Sequence, residues 1–138
     1  GDVAVNAGIV VQAMATSGVE VIAGIARDPS FGLVLAVGLG GVLAELLDEV
    51  AMVCLPMREG DVDRLLEGGK LEELLRGFRG SGPADVEALK ASLHGLADFA
   101  THHAPFIEGI DINPLIVHGQ GQGCVAVDAL IVPRLLVG

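Results

Sequence analysis

The sequence of 138 residues contains few aromatic and few basic residues. It has four phenylalanines, no tryptophan and no tyrosine, and its eight lysines and arginines face 18 acidic residues, which leaves a net charge of −10. Proteins that bind a phosphate backbone need clustered basic residues and stacking aromatics, and binding to an anionic membrane also needs basic clusters. We therefore expect neither a nucleic-acid partner nor a membrane partner.

The sequence also lacks an uninterrupted membrane-spanning segment and a disulfide framework. Mean hydropathy is +0.62, but four glycines break the uncharged stretch 31–44, which is shorter than the roughly 18–20 residues that a spanning helix needs. The two cysteines, Cys54 and Cys124, are typical of a reduced protein, and the N-terminus shows no signal-peptide pattern. We expect a cytoplasmic protein.

What the sequence does contain is β-type segments at both ends and helices in the middle. Residues 45–98 carry 12 of the 18 acidic side chains, and Asp85 is a capping residue before a segment whose apolar positions recur at helical spacing. The predicted fold class is α/β, with a mainly antiparallel sheet packed against helices. Strands are predicted over 9–14, 19–26, 33–37, 50–55, 110–118 and 123–132, the first two forming a hairpin, and helices over 61–66, 71–77 and 86–100.

The closing hairpin, within residues 107–132, contains the most informative polar residues. If His118 pairs with Gly123 across the glycine-rich loop, Asn113 lies directly opposite Asp128. An amide oxygen and a carboxylate at that separation can share one hard divalent cation, and Asp111 falls on the same face. The alternative is a solvent-facing edge hairpin in which Asn-Pro is ordinary turn chemistry.

Three further features are ambiguous from their residues alone. The glycine loop 38–41 follows a strand as a phosphate-binding loop would, but it lacks the dinucleotide and P-loop patterns, so a tight connection is the alternative. Glu20 and Gln12 are polar residues within apolar strands, which requires an edge position or a polar ligand. Arg27 ends a strand, where a surface ion pair is the alternative to a functional role.

Taken together, five stretches of the sequence resemble the C-terminal part of the ATP-grasp region of ADP-forming acyl-CoA synthetases. The sequence is more distantly similar to the β subunit of succinyl-CoA synthetase. IDINPL followed by VAVDA, at this distance after RDPxFG, is the specific combination. The matching stretches are GVEVIAGIARDPSFG (18–32), GLGGVLAEL (38–46), LLRGFRG (74–80), IDINPL (110–115) and VAVDA (125–129).

This resemblance implies roles for individual residues. Asn113 and Asp128 match the family positions that bind the Mg²⁺ of Mg-ATP, and Glu20 matches an acid that contacts the nucleotide at its ribose. Arg27 and the pair Gly40–Gly41 match positions that face the catalytic groove. The adenine pocket would be lined by the hinge strand, at Gln12, Ala13, Met14 and Ala15.

The resemblance also implies a reaction and an architecture. The family converts acyl-CoA, ADP and phosphate reversibly to acid, CoA and ATP through a phosphohistidine. The chain would be one lobe over residues 1–138, with a hinge and β-rich part (9–55), an acidic helical part (59–103) and a metal-binding hairpin (107–132). Its partners would be the remaining ATP-grasp lobe and CoA-binding domains, so we expect the chain alone to be inactive.

The sequence departs from the family pattern at four positions. Gly109 replaces a usual Glu, Val53 and Leu130 replace usual arginines, and Leu33 replaces a usual Pro. Loss of three charged groups around one groove favours an alternative, a degenerate ATP-grasp module with a regulatory role and no turnover. A purely structural interaction domain is a further alternative, which predicts no nucleotide binding.

Overall fold

The computed structural model describes residues 17–41, 49–77 and 80–136, and within them a six-stranded sheet is covered on one face by helices. The elements are β1 (Val19–Asp28), β2 (Gly32–Leu39), β3 (Val50–Cys54), α1 (Asp61–Leu66), α2 (Gly69–Arg76), α3 (Val86–His102), a 3-10 turn (Ala104–Phe106), β4 (Ile107–Val117), β5 (Cys124–Ala126) and β6 (Ala129–Pro133). The strand order is β3-β2-β1-β4-β5, β6 also pairs with β4, and every pairing is antiparallel. The predicted α/β fold class is confirmed.

The hydrophobic core lies between the sheet and the helices. Side chains of a strand alternate between faces, so Val21, Ala23 and Ile25 of β1 point to the helices and are buried. On α3, Leu89 and Leu93 pack into the same core and are fully buried. This face of the sheet is built from large aliphatic side chains, which compensates for the scarcity of aromatics.

A carboxylate fixes the start of α3, as its sequence predicts. The Asp85 side chain accepts a hydrogen bond from the amide of Ala88 at 3.1 Å, which satisfies a free donor of the first turn. It also accepts one from the amide of Gly123 at 2.8 Å, in the loop of the closing hairpin. Asp85 therefore joins the helical layer to the hairpin that carries Asn113 and Asp128.

The expected hairpin between residues 9–14 and β1 is contradicted by the strands that pair with β1. Residues 9–14 lie outside the described residues, but β1 already pairs with β2 on one side and with β4 on the other. Both edges of β1 are therefore filled from Val21 to Ala26. The distant strand β4 therefore occupies the edge of β1 at which the preceding segment was expected to pair.

The expected continuous strand over residues 123–132 is also wrong, because it is divided into β5 and β6. The break falls at Val127 and Asp128, opposite Pro114, which has no amide hydrogen to donate to the ladder. Main-chain bonds still cross the break: Val127 donates to Pro114 at 3.0 Å, and Asn113 donates to Asp128 at 3.1 Å. The two strands therefore keep one register on either side of the gap.

In the described part of the chain, no helix has the length and apolar character needed to cross a membrane. The predicted cytoplasmic location stays a prediction, as does the division of the chain into a β-rich part, an acidic helical part and a hairpin.

Candidate functional site

The face of the sheet opposite the helices forms a shallow groove of about 360 Å³. Small residues form its floor on the two central strands, with Gly24 and Ala26 on β1 and Ala36 and Gly38 on β2. A Cβ atom on Gly38 would lie 2.8 Å from the carbonyl oxygen of Glu49, so only glycine fits there without displacing the main chain. The floor thus leaves room for a ligand to lie against the backbone of the sheet.

Asn113 and Asp128 lie opposite each other beside this groove, as the hairpin register predicts. The pairing continues on both sides of them, from Leu115 with Ala126 to Ile112 with Ala129. Both residues are exposed, and the main-chain bond between them fixes their separation across the strands. An amide and a carboxylate are therefore brought together and are accessible to a ligand.

A bulge in β4 changes the direction of the strand at this point. Val21 pairs with Leu115, but Ala23 pairs with Ile112, so β4 has one more residue than β1 in this interval. The buried face of β4 consequently shifts from Ile110 to Leu115 and Val117. Bulges re-aim side chains and are frequent next to functional sites, and this one lies at Asn113 and Pro114.

Glu20 and the glycine pair form a second polar corner, at the start of β1. The amide of Gly40 donates to the carbonyl oxygen of Glu20 at 2.8 Å. Gly41 has φ of +66°, and a Cβ atom there would collide with the Glu20 carboxylate. The structure therefore brings Glu20, Gly40 and Gly41 together, which the sequence alone had left as separate features.

Arg27 is not brought to the groove, in contrast to the expectation from the resemblance. It falls on the same side of β1 as the buried residues, and its guanidinium donates to the carbonyl oxygens of Ala104 and Ile107, the latter at 2.7 Å. Its Nε atom lies 3.7 Å from the Glu108 carboxylate. Alternation along the strand places Arg27 on the helical face, where it joins β1 to the turn before β4.

The groove is acidic where its lining is described. Glu49 and Asp111 line it, and the described residues that line it include no lysine or arginine. Leu130, one of the departures from the family pattern, lies directly opposite Asp111 on β6 and is 60% exposed. An anionic ligand could therefore bind here only together with a cation or with basic groups from elsewhere.

The floor of the groove is not among the features predicted above, although the sequence contains a signal for it. Small residues at Gly24, Ala26, Ala36 and Gly38 occupy alternate positions in two apolar strands, with large residues between them. The four residues of the predicted adenine pocket, Gln12, Ala13, Met14 and Ala15, lie outside the described residues.

The lobe has an uncovered sheet face with a groove, a glycine pair beside Glu20, and the opposed oxygen donors Asn113 and Asp128. These features together are typical of a nucleotide-binding protein. The chain belongs to the ATP-grasp domain family, whose sequence model matches residues 2–132. This confirms the family resemblance and the fold class.

Relatives and solved structures point to one branch of that family. The chain is 35% identical, over 91% of its length, to the β subunit of ADP-forming acetate–CoA ligase II from Pyrococcus furiosus, covering 53% of that subunit. It is 31% identical, over 90% of its length, to an ADP-forming 4-hydroxybutyrate–CoA ligase from Nitrosopumilus maritimus, covering 18% of it.

Two solved structures have the same fold over most of the chain. PH1788 from Pyrococcus horikoshii superposes with a TM-score of 0.81 at 32% identity, over 88% of this chain and 51% of that one. The dinucleotide forming acetyl-coenzyme A synthetase 1 of Ca. Korarchaeum cryptofilum, in complex with coenzyme A and Mg-AMPPCP, superposes with a TM-score of 0.78 at 38% identity, over 87% and 55%. The chain thus spans about half the length of the β subunit and of the solved chains that it matches.

Proposed function

We propose that this chain is the nucleotide-binding lobe of an ADP-forming acyl-CoA synthetase. In that role it acts in the reversible conversion of acyl-CoA, ADP and phosphate to acid, CoA and ATP through a phosphohistidine. The observation that carries the proposal is the opposed pair Asn113 and Asp128 beside a bare sheet face. Its support is that relatives matched over most of the chain are ADP-forming ligases, and that a solved acetyl-coenzyme A synthetase with the same fold holds coenzyme A and Mg-AMPPCP.

The donor set of the hairpin fits Mg²⁺. Within the described residues, no group of three or more His, Cys, Asp or Glu is arranged to hold a metal, which argues against a closed protein cage. Mg²⁺ usually keeps several waters and takes one or two protein oxygens plus phosphate oxygens. Asn113 and Asp128 would supply those two protein oxygens, and the ion when bound supplies charge neutralisation at the phosphates.

The remaining groove residues would position the nucleotide. The carbonyl oxygen of Glu20 accepts a hydrogen bond from the amide of Gly40 at 2.8 Å, which fixes its main chain. The Glu20 carboxylate would accept hydrogen bonds from the ribose hydroxyls. The exposed Gly41 would present its main chain to the ligand, whereas the amide of Gly40 already donates to the carbonyl oxygen of Glu20 and so would hold the corner together. Gln12, Ala13, Met14 and Ala15 would line the adenine, an assignment that depends on the family resemblance alone.

The acidic groove also implies which partners the lobe needs. Phosphoryl transfer depends on positioning and charge neutralisation, yet the charged residues in the described lining of the groove, Glu49 and Asp111, are both acids. The remaining ATP-grasp lobe and the CoA-binding domains of the parent protein would supply the basic groups and the phosphohistidine. The chain alone would then bind nucleotide or metal without turnover.

Calorimetric titration of the 138-residue chain with Mn²⁺ and with Mg-ADP tests the proposal. We expect Asp128→Ala to weaken binding by at least the roughly 10–100-fold that loss of an outer-shell partner costs, since a direct ligand is removed. The substitution keeps the main-chain bond to Asn113, so the hairpin register is preserved. Asp98→Ala is the matched control, because Asp98 is an exposed acid on α3 at the opposite face. Equal affinity in wild type and Asp128→Ala would contradict the metal assignment.

A regulatory module that binds nucleotide without catalysis is a second candidate. Leu130 opposite Asp111 favours it, because an arginine expected from the family is replaced by an exposed apolar side chain. Both candidates predict Mg-ADP binding, and they differ in turnover. Acyl-CoA-dependent ATP synthesis by the parent protein, measured in a coupled assay, would decide for the enzyme, and its loss on Asp128→Ala would link it to this site.

A further inference from the structure

The edge strand β6 is apolar on both of its faces and exposed on both. Leu130 (60% exposed) and Val132 (43%) point to the groove face, whereas Ile131 (52%) points to the helical face. Strands that are apolar on both faces are typical of positions covered on both sides. The sequence of β6 therefore indicates a covered strand, although nothing among the described residues covers it.

The free edge of β6 has the main-chain groups that a further strand would need. Asn113 donates to Asp128, so by antiparallel alternation Leu130 and Val132 also direct their main-chain groups to β4. Ala129, Ile131 and Pro133 then direct theirs away from the sheet. Native edges are usually guarded by lysine or an inward charge, and β6 has no charged residue; Pro133 stands only at its end.

The apolar surface around this edge is large enough for a stable interface. The residues of this surface, defined below as the β6 patch, each expose 43–85% of their surface. Their summed exposed area is on the order of 800 Å², which is what each partner contributes to a standard specific interface. Arg134 donates to the carbonyl oxygen of Phe106 at 2.8 Å and holds the following segment beside the patch. The β6 patch comprises Phe99, Phe106, Leu130, Ile131, Val132, Leu135 and Leu136.

Charge complementarity across a two-fold axis favours a second copy of this chain as the occupant. A chain with a net charge of −10 repels its own copies at most surfaces, but the β6 patch contains no acidic residue. If two β6 strands run antiparallel about a two-fold axis at Ile131, Leu130 faces Val132 of the second copy. The same register sets Asp128 opposite Arg134 of the second copy, so the charges that flank the patch are complementary.

We propose that two copies of this chain dimerise through their β6 edges about a two-fold axis at Ile131. In this arrangement Ile131 exchanges main-chain hydrogen bonds with its copy, and Ala129 donates to Pro133 of the second copy. The missing amide hydrogen of Pro133 leaves only one acceptor per copy unpaired, so the proline is tolerated. The dimer also brings Arg134 of the second copy to the acidic groove face. This proposal does not depend on the nucleotide assignment.

Sedimentation velocity or light scattering of the 138-residue chain over a range of concentrations tests it. We expect a mass of about 28 kDa, twice the 14.1 kDa of one chain, and about 14 kDa for Ile131→Lys at the same concentration. Met52→Lys is the matched control, because Met52 is 68% exposed on the opposite edge strand β3. Circular dichroism checks that each variant is folded.

A milder variant keeps the test informative if Ile131→Lys does not fold. Arg134→Glu removes the cross-copy ion pair without touching β6, and we expect it to raise the dissociation constant several-fold, with a smaller effect at high salt. A wild-type chain that stays monomeric at all concentrations would overturn the proposal and leave the β6 patch to another part of the parent protein. A dimer that Met52→Lys disrupts, or one unaffected by both β6-side variants, would overturn it equally.

Discussion

The two faces of the central sheet differ sharply although the same strands build both. The helical face presents large aliphatic side chains such as Leu35 and Val37, which are at most 1% exposed. The groove face presents Gly24, Ala36 and Gly38 and is also lined by Glu49 and Asp111. Along each strand the two sets alternate residue by residue, so one segment contributes to both.

Stability resides mainly on the helical face of this lobe, and the proposed ligand site lies on the groove face. Removal of apolar surface from water contributes roughly 25 cal/mol per Å², so the helical face contributes most of the free energy of folding. The groove face contributes little burial, and its glycines add to the entropic cost of folding. Substitutions on the first face should therefore change the free energy of unfolding, and those on the second should change ligand binding.

The largest expected effect is at the centre of the helical face. Leu93→Ala removes a fully buried side chain of α3 and should lower the free energy of unfolding by about 2–5 kcal/mol, through lost burial and a residual cavity. Met52→Ala, at a side chain that is 68% exposed, should stay within about 0.5 kcal/mol of wild type. Urea unfolding measures both, and similar losses for the two variants would break the distinction between the faces.

An intermediate effect is expected at the glycine corner of the groove. Gly41→Ala and Gly121→Ala both place a side chain at positive φ, +66° and +81°, and each should cost about 1–2 kcal/mol of stability. Only Gly41→Ala brings its Cβ atom against the Glu20 carboxylate, since nothing lies within 4 Å of a Cβ at Gly121.

The two glycine variants should therefore differ in ligand binding and not in stability. Thermal unfolding should give them similar losses, while calorimetry should show weaker Mg-ADP binding for Gly41→Ala alone. Weakened binding in both variants would mean that the effect comes from general destabilisation, and Glu20 would lose its assigned role.

The smallest expected effect is at Asp85, which connects the two layers. Hydrogen bonds from the amides of Gly123 and Ala88 hold the pKa of the Asp85 carboxyl below its ordinary value of 3.8. Because the pKa is lower in the folded state, this stabilisation is complete above pH 3.8 and is lost as the pH falls through the folded-state pKa. Asp85→Asn keeps the capping acceptor without a titrating group.

Melting temperatures measured from pH 7 down to pH 2.5 check this expectation. Wild type should lose stability more steeply than Asp85→Asn below about pH 4, where the folded and unfolded states differ in protonation. If the melting temperatures of the two proteins fell in parallel with pH, the negative charge of the Asp85 carboxylate would not contribute to stability.

Local sequence signals predicted the parts of this structure that depend on local chemistry. The glycine-rich loop fixed the hairpin register, so Asn113 could be placed opposite Asp128 without coordinates. The cap at Asp85 likewise marked the start of α3. These features depend on contacts between residues close in the chain or joined by one tight turn.

The parts that the sequence did not predict depend on distant contacts. On one edge, β1 pairs with β4, which lies about 90 residues further along the chain. No local pattern in the sequence distinguishes β4 from the nearer segment 9–14 as the strand at that edge. Arg27 was assigned to the groove by resemblance, yet its side of β1 and its bonds to Ala104 and Ile107 set it on the helical face. The bulge at Asn113 and Pro114 arises where β4 pairs with the distant β1, and β5 is divided from β6 opposite Pro114, which has no amide hydrogen for the ladder.

Anomalous scattering from a crystal of the chain soaked with Mn²⁺ and ADP tests directly whether Asn113 and Asp128 bind the metal of the nucleotide. We expect one strong peak about 2.0–2.6 Å from side-chain oxygens of both Asn113 and Asp128, with phosphate oxygens completing the coordination. A peak bound only to the acidic helices, or ADP bound away from the groove over Gly24 and Ala36, would contradict it.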